Sequence, residues 1–191
     1  MSKPRTPAPA KLVIGCFTRD KDILVDVAAR LSESFGPPDT ISRWLPFEHT
    51  NYYNSEMGSP LFRRLMAFRE LIRQDALADI KLFTNDLEDK FSVQGARLVN
   101  IDPGYLLAER LVLGTGKNYT HRIYLKEGIY ADLTLIYQKG RFHPLDWTYP
   151  DFAGEEIGGF LGSVRSRYLY QVKQSGESAA FSVENKARQG S

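Results

Sequence analysis

The chain has 191 residues, with 25 basic and 23 acidic side chains, a formal net charge of +2 and 42% hydrophobic residues. Such balanced charge argues against nucleic-acid binding, which needs a basic excess or patch, and the single Cys16 excludes an internal disulfide or a cysteine-based metal cluster. No apolar run reaches the roughly 20 residues of a membrane span. We therefore expect a cytoplasmic protein without membrane contact, with one domain at 11–173 between a disordered lead-in (1–10) and a disordered tail (174–191).

The first elements predict a β-α-β unit. Residues 11–17 (KLVIGCF) form a continuous apolar run typical of a buried strand. A helix follows, with Asp20 as the predicted N-cap and an apolar stripe that includes Val27, and Gly36-Pro37-Pro38 ends it. Residues 40–45 predict the second strand, and the short spacing favours a parallel pair with a right-handed crossover.

The loop at 46–60 is polar and aromatic, without helix or strand periodicity. Loops often carry function, so His49, Tyr52, Tyr53 and Glu56 are candidate ligand contacts. The alternative is a connector whose tyrosines cover the core.

Two helices are predicted next. The first spans 61–73, with an apolar stripe and four arginines elsewhere on its surface, which indicate either a solvated face or anion binding. The second spans 75–91 and places Lys81, Asn85 and Glu88 on one face. Because Thr84-Asn85 is poor in a helix interior, this is a place where function can override propensity.

The segment 97–118 predicts a strand at 97–101 that stops at the turn Asp102-Pro103-Gly104. Residues 105–113 fit either a short helix or a strand, and periodicity does not decide between them. Residues 114–118 are then predicted to end that element. Their Gly-Thr-Gly-Lys sequence lacks the spacing of a phosphate-binding P-loop, although a small anion-binding turn remains open.

Residues 119–138 predict a β-hairpin, whose register follows from sorting the two faces. A three-residue loop (126–128) with Gly128 in the left-handed region places Arg122 opposite Asp132 and Tyr124 opposite Tyr130. This polar face is either a solvated surface or a binding surface. His121 falls on the apolar face, either as a core histidine or as a catalytic one.

The remaining chain predicts an edge strand at 141–145, an aromatic loop at 145–151 and a helix at 152–173. None of the common sequence motifs for nucleotide, metal or nucleophile sites is present, and three histidines without ligand spacing argue against a metal site. The carboxylates, amides, tyrosines and arginines that remain suit recognition of a polar or anionic ligand, and no cofactor follows from them.

These segments resemble a bacterial family known as domain of unknown function 4416. The resemblance is carried by stretches spread over nearly the whole chain between its tails: KLVIGCF at 11–17, TNYYNSEMG at 50–58, IKLFTNDLE at 80–88, NIDPGY at 100–105, HRIYL at 121–125, GIYA at 128–131 and WTYPD at 147–151. The glycines of the last helix and the long tail depart from the pattern. The resemblance implies no activity, cofactor or site residue.

The sequence thus predicts an α+β domain with a mixed sheet of about five or six strands. It begins with a parallel β-α-β unit and ends in an antiparallel meander, with helices mainly on one face. The first hypothesis is a cleft for a small anionic or nucleotide-like ligand, with or without chemistry on it. Its candidates are Asp102 and Glu56 as acid or base, and as ligand contacts Lys81, Asn85, Asn100, Arg122, Asp132, Tyr53 and Tyr124.

The second hypothesis is an interaction module that binds a protein partner or a second copy through aromatic anchors such as Tyr52, Trp147 and Tyr124. A third is single-stranded RNA stacked on Tyr124 and Tyr130, which the low net charge disfavours. Convergence of the polar candidates on one concave surface favours the ligand hypothesis, and scatter favours the interaction hypothesis.

Overall fold

A large antiparallel sheet organises the protein, which a computed structural model describes for residues 3–48 and 52–189. The elements in chain order are β1 (Ala10–Thr18), α1 (Ile23–Phe35), β2 (Pro38–Ile41), β3 (Leu45–Pro46), α2 (Asn54–Met57), β4 (Phe62–Ile72), α3 (Leu77–Lys90), β5 (Ser92–Val93), β6 (Ala96–Arg97), β7 (Val99–Leu106), β8 (Arg110–Thr115), β9 (Arg122–Lys126), β10 (Ile129–Gln138), β11 (Arg141–Pro144) and α4 (Glu155–Gln189). One 3-10 turn, Gln74–Ala76, leads into α3.

The main sheet contains nine of the described strands, in the order β11-β10-β8-β7-β1-β4-β2, with β3 beside β4 and β9 beside β10. Its pairings within the described residues are antiparallel. The α+β class is confirmed, but the expectation of five or six strands in a mixed sheet is wrong. Two of the additional strands, β4 and β8, come from segments that the sequence assigned to a helix or left undecided.

The N-terminal unit is not the predicted parallel pair. β1 and β2 run in the same direction, since both are antiparallel to β4, but β4 lies between them. The helix α1 forms where it was predicted, but its N-cap is Asp22 and not Asp20, whose carboxylate accepts from the Asp22 N–H just before the helix. Its end at Gly36 has a φ of 76°, which only glycine adopts readily. The connection from β1 through α1 to β2 therefore passes β4, which comes later in the chain but lies between β1 and β2 in the sheet.

The strand β4 replaces the helix predicted for 61–73. Leu65 and Ala67 join the core beneath α4, whereas Met66 and Phe68 join the core beneath α1. Because both faces of β4 are buried, its apolar residues do not alternate, and their spacing imitates a helical stripe. The same observation corrects the expected helix placement, since α1 and α3 pack on one face of the sheet and α4 on the other.

The Asp102-Pro103-Gly104 triplet lies inside β7 and is not a turn. Gly104 pairs with Val13 of β1 and with Leu113 of β8. A Cβ at this position would lie 2.5 Å from the Leu113 side chain and 2.6 Å from the Val112 carbonyl oxygen. The glycine is therefore explained by close strand approach, and β8 resolves the undecided stretch after it as a strand.

The hairpin has the predicted register at its centre, with Arg122 opposite Asp132 and Tyr124 opposite Tyr130. Its loop differs, because Lys126 pairs with Ile129 and a bulge follows, so the turn has two residues, both with positive φ. The third strand, β11, was predicted correctly. The three strands do not form a simple meander, because β8 occupies one edge of β10 and leaves β9 and β11 to share the other.

The last helix begins at Glu155, and its backbone continues to Gln189. The predicted limits of the domain and of its two tails stay predictions.

Candidate functional site

The candidate site is a cleft where two neighbouring strands diverge. The pairing of β7 with β8 ends at Gly104 and Leu113. Beyond it, β7 stays paired with β1 as far as Val99, whereas β8 stays paired with β10 as far as Thr115. The cleft has a volume of about 530 Å³ and is closed by α3, the loop before β4 and the segment before α4. A second hollow of about 620 Å³ around Asp22 holds none of the predicted site residues.

Seven of the nine predicted site residues line this cleft: Tyr53, Lys81, Asn85, Asn100, Asp102, Arg122 and Asp132. Two do not. Glu56 lies behind the lining, and Tyr124 is a 57% exposed residue of β9 that packs against Tyr130. His49 lies outside the described residues.

Arg97 connects the loop before β4 to the floor of the cleft. Its guanidinium donates to both carboxylate oxygens of Glu56, at 2.7 and 2.8 Å, to Glu88 at 3.0 Å and to the Asn100 Oδ1 at 3.0 Å. Arg97 was not among the predicted site residues, because a lone arginine in a short polar strand gives no signal of its partners. Its position decides the orientation of three candidate residues.

This network shifts the ionisation of its two carboxyl groups in opposite directions. Hydrogen bonds from Arg97 lower the pKa of Glu56, which is partly exposed, and the Glu56 carboxylate in turn raises the pKa of Arg97. Burial raises the pKa of Glu88, because little of its side chain reaches water. Glu56 is thus held as a charged partner of Arg97, whereas Glu88 is the more easily protonated carboxyl.

Lys81 and Glu88 attach α3 to β7. The Lys81 Nζ donates to the Ile101 carbonyl oxygen at 2.8 Å, and the Ile101 N–H donates to Glu88 at 2.6 Å. The two side chains approach each other at 3.9 Å. Asn85, half-buried between them on the same helix face, lines the cleft. The shared face was predicted, and the unusual Thr84 beside it is simply buried and bonded to the Lys81 carbonyl.

The predicted ion pair of the hairpin forms the opposite wall. The Arg122 Nε donates to Asp132 at 2.8 Å, and its NH1 donates to the Lys117 carbonyl at 2.9 Å. Both members are buried, so of the two alternatives left open for this face the solvated surface does not apply to this pair. His121 does not lie on the apolar face, since its Nε2 is 3.3 Å from Asp132 and its ring stacks on Trp147 at 5.0 Å. His121 precedes the first paired residue of β9, which frees its side chain from the strand alternation.

Arg63 is a second cation that was not among the predicted site residues, because its segment was predicted as a helix whose basic face was either solvated or anion-binding. Its guanidinium is ion-paired with Asp151 and lies 4.6 Å from the Phe47 ring centre and 5.0 Å from that of Phe152. Burial lowers its pKa to about 10, so it remains charged at neutral pH. Its Nε is buried and has no hydrogen-bond partner among the described residues.

Asn100 and Asp102 stand two residues apart on β7 and both line the cleft. The Asn100 side chain is buried and its Nδ2 donor has no partner in the described part of the chain. Asp102 is half-buried, and its carboxylate accepts no hydrogen bond from the described residues. Buried polar groups are normally hydrogen-bonded, so unpaired ones in a cleft call for an explanation.

Aromatic rings make up much of the cleft surface. Phe17 and Phe47 stack at 4.3 Å, and Tyr53 packs edge-on against Phe17 at 4.7 Å. Burial raises the pKa of Tyr53 to about 12, which keeps its hydroxyl neutral and able to donate at neutral pH. The other aromatic side chains of the lining are Tyr52, Tyr119, Trp147, Tyr149 and Phe152. Within the described residues, no group of three or more His, Cys, Asp or Glu is arranged to hold a metal ion.

This geometry defines a class of protein: an α+β domain with a polar, aromatic-lined cleft where two strands of the sheet diverge. The chain belongs to the family described as Domain of unknown function (DUF4416), whose model matches residues 8–168, and this confirms the resemblance expected from the sequence. Neither the curated proteins nor the solved structures contain a match to the chain. Of the helices that the structure describes, none is both long and apolar enough to cross a membrane.

Proposed function

We propose that this protein binds a small anionic or nucleotide-like ligand in the cleft between β7 and β8. The observation that carries the proposal is a pair of buried donors without partners among the described residues, the Arg63 Nε and the Asn100 Nδ2, in one concave site with the half-buried Asp102 carboxylate. A ligand that supplies one donor edge and one or more acceptors would satisfy all three groups. Leaving the two buried donors unpaired costs free energy, on the order of 1–3 kcal/mol for each.

The shape of the cleft supports a ligand that contains a planar ring. Ligand sites are typically concave, largely apolar and supplied with a few convergent polar groups. Eight aromatic side chains line this one, and its volume of about 530 Å³ lies within the usual range for a small-molecule site. A flat ring can stack on such walls while its polar edge faces Asn100 and Asp102.

Arg122 and Lys81, the two cations among the predicted ligand contacts, are not the groups to which we assign the anionic part of the ligand. Arg122 is already bonded to Asp132, and Lys81 to a backbone carbonyl. Lys117 at the mouth of the cleft lies over the Tyr52 ring at 4.8 Å and has no ion pair with any described residue. Nothing lies within 4 Å of a Cβ built on the neighbouring Gly116, so the space beside it is open. We therefore assign the anionic group to Lys117.

If the bound ligand undergoes acid-base chemistry, Asp102 is the carboxylate placed to take part. Glu56, the other candidate, stays charged in its double contact with Arg97 and does not line the cleft. Its role in this proposal is to position Arg97, which in turn orients Asn100.

A thermal-shift screen against nucleotides, phosphorylated metabolites and small carboxylates tests the proposal. A ligand at 100 times its Kd adds about 2.7 kcal/mol, which raises the Tm of a domain of this size by roughly 5–10 °C. Lys117→Ala should weaken the response to the charged compounds more than to their uncharged counterparts. Asp86→Asn, an exposed change on the outer side of α3, is the matched control for a cleft variant such as Asp102→Asn. A screen in which no compound stabilises the wild type, or in which Asp102→Asn responds exactly as the control does, contradicts the proposal.

One specific observation favours the second hypothesis, in which the protein is an interaction module. Ile123, Tyr124 and Leu125 of β9 are 68%, 57% and 38% exposed, and β9 is an edge strand. Three successive exposed apolar residues on an edge favour association with another strand. Sedimentation of the wild type and of Ile123→Lys over a range of concentrations decides the matter, because self-association that the variant abolishes would support this second function.

A further inference from the structure

We infer that the cleft recognises a 2-amino-4-oxopyrimidine edge, the hydrogen-bonding edge that guanine shares with pterins, through Asn100 and Asp102. This inference rests on the proposed ligand-binding function and adds the chemical class of the ligand. Such an edge presents a carbonyl oxygen, a ring N–H and an amino group side by side. The order of acceptor, donor and donor is the feature that the protein must match.

The strand β7 holds the two side chains side by side. Residues two positions apart on a strand point to the same face, with Cα atoms roughly 6.5–7 Å apart. Ile101 between them is fully buried in the opposite core, beneath α1 and α3. The backbone of this stretch is held by its pairing with β1 and by the hydrogen bonds of Ile101 to Lys81 and Glu88 of α3. Asn100 and Asp102 therefore form a rigid pair, as selective recognition requires.

The Asn100 amide has one orientation that its surroundings allow. An arginine guanidinium has donors only, so the atom that faces the Arg97 NH1 at 3.0 Å must be the amide oxygen. The Nδ2 is consequently the group that remains buried and unpaired. It offers a donor, while Asp102 two residues away offers only acceptors when ionised.

This donor-acceptor order selects among planar rings. The Asn100 Nδ2 would donate to the ligand carbonyl oxygen, and the two Asp102 oxygens would accept from the ring N–H and the amino group. Adenine fits badly, because its ring nitrogen would place a lone pair against the carboxylate and its amino group would meet the Asn100 donor. A sugar could satisfy Asp102 through its hydroxyl groups, but it does not need the fixed Asn100 donor beside the carboxylate.

Aromatic and cationic groups surround the pair in positions that suit a ring. Phe17 lies directly opposite Asn100 in the neighbouring strand, and Tyr53 packs against Phe17 at 4.7 Å. Arg63 lies 5.6 Å from the Phe17 ring centre, with its free Nε in the same lining. Because Phe17 is buried against Phe47, the half-buried Tyr53 is the ring beside the pair on which a base can stack, and the Arg63 Nε is a further donor for a second acceptor such as a ring nitrogen.

Titration calorimetry on the wild-type chain of 191 residues tests the inference with guanosine, inosine, adenosine and xanthosine. Inosine lacks only the amino group, so it should bind about ten- to a hundred-fold more weakly than guanosine, the worth of one hydrogen bond to a charged group. Adenosine should bind more weakly still. Guanosine monophosphate and a simple pterin, compared with guanosine, separate the two sources of the edge, because the first adds a phosphate for Lys117 and the second lacks the ribose.

Asp102→Asn supplies the variant test. An amide can donate to the 2-oxo group of xanthosine but cannot accept from both donors of guanosine, so the preference between these two nucleosides should reverse. Asp86→Asn should leave the preference unchanged. If Asp102→Asn does not fold, the wild-type series decides by itself.

Equal affinity for guanosine and adenosine, or for guanosine and inosine, would overturn the inference. So would a wild type that binds no purine and no pterin. In that last case, stabilisation by a sugar phosphate or carboxylate in the thermal-shift screen would keep the ligand cleft and reject only the base edge, whereas a blank screen would reject both.

Discussion

Replacing Arg97 by methionine is the sharpest test of how the cleft is held together. The change keeps much of the side-chain volume and removes the guanidinium that joins Glu56, Glu88 and Asn100. The pocket side of β7 should then lose both its fixed amide orientation and its contact with α2. We expect a stable but weakened fold whose ligand response is reduced.

The magnitude follows from the burial of the groups left behind. Removing one partner of a buried pair costs about 3–5 kcal/mol. Glu88 is 5% exposed but retains the Ile101 N–H at 2.6 Å, so the lower end of this range applies. The Glu56 side chain is 29% exposed, and its pair with Arg97 therefore adds less than about 1 kcal/mol. A total near 3 kcal/mol corresponds to a Tm lower by roughly 6–12 °C.

The loss should depend on pH, with a sign that the pKa shifts determine. Glu88 has a folded-state pKa above its ordinary value of 4.5, and Arg97 provides one of the hydrogen bonds that oppose this rise. Without Arg97 the rise is larger, so the variant loses further stability as pH increases through that range. Glu56 has a lowered pKa in the wild type, which contributes stability above 4.5 that is lost as pH falls through the lowered value. Both effects make the difference between variant and wild type large near neutral pH and small in acid.

Urea denaturation of both proteins over a pH series measures this difference. Adding Glu88→Gln to Arg97→Met removes the stranded carboxylate and should recover part of the lost stability near neutral pH. A loss below about 1 kcal/mol, a loss that does not change with pH, or a double variant less stable than the single one would refute the reasoning.

Two further predictions concern the sheet around the cleft. Gly104→Ala should lower the free energy of unfolding by about 1–3 kcal/mol or more, because its Cβ would overlap Leu113 and a backbone oxygen. Thermal denaturation measures the loss. The control is Gly159→Ala, an exposed change within α4 with open space around it, which should be neutral or stabilising. Arg122→Ala should lower the free energy of unfolding by about 3–5 kcal/mol, because it leaves the buried Asp132 carboxylate without its cation. The double variant Arg122→Ala/Asp132→Ala should be more stable than Arg122→Ala alone in the same assay. Equal or lower stability of the double variant would contradict this.

The sequence carried enough local information for several elements and for most of the cleft. The helix α1 was predictable because its apolar stripe and its terminating glycine are neighbours in the chain. The central register of the hairpin was predictable because only one pairing sorts its two faces. The convergence of Lys81, Asn100 and Arg122 was anticipated from unusual polar residues in otherwise ordinary elements, and the structure places all three along one cleft.

Other features depended on contacts between distant parts of the chain. β4 looks helical in isolation, and it is a strand because β1 and β2 pair with its two edges while helices cover both faces. The Asp-Pro-Gly triplet looks like a turn, and it is extended because β8 requires a glycine at the point of closest approach.

The same distinction applies to the cleft itself. The order of the predicted elements determined the α+β class, and composition determined the balanced charge and the supply of polar and aromatic residues. The partners of Arg63 and Arg97 were decided only by tertiary structure, since Arg63 meets Asp151 across 88 positions and Arg97 meets Glu56 across 41. Local patterns report what a segment can form by itself, whereas burial and pairing with remote segments determine which hydrogen bonds are made and which groups remain available to a ligand.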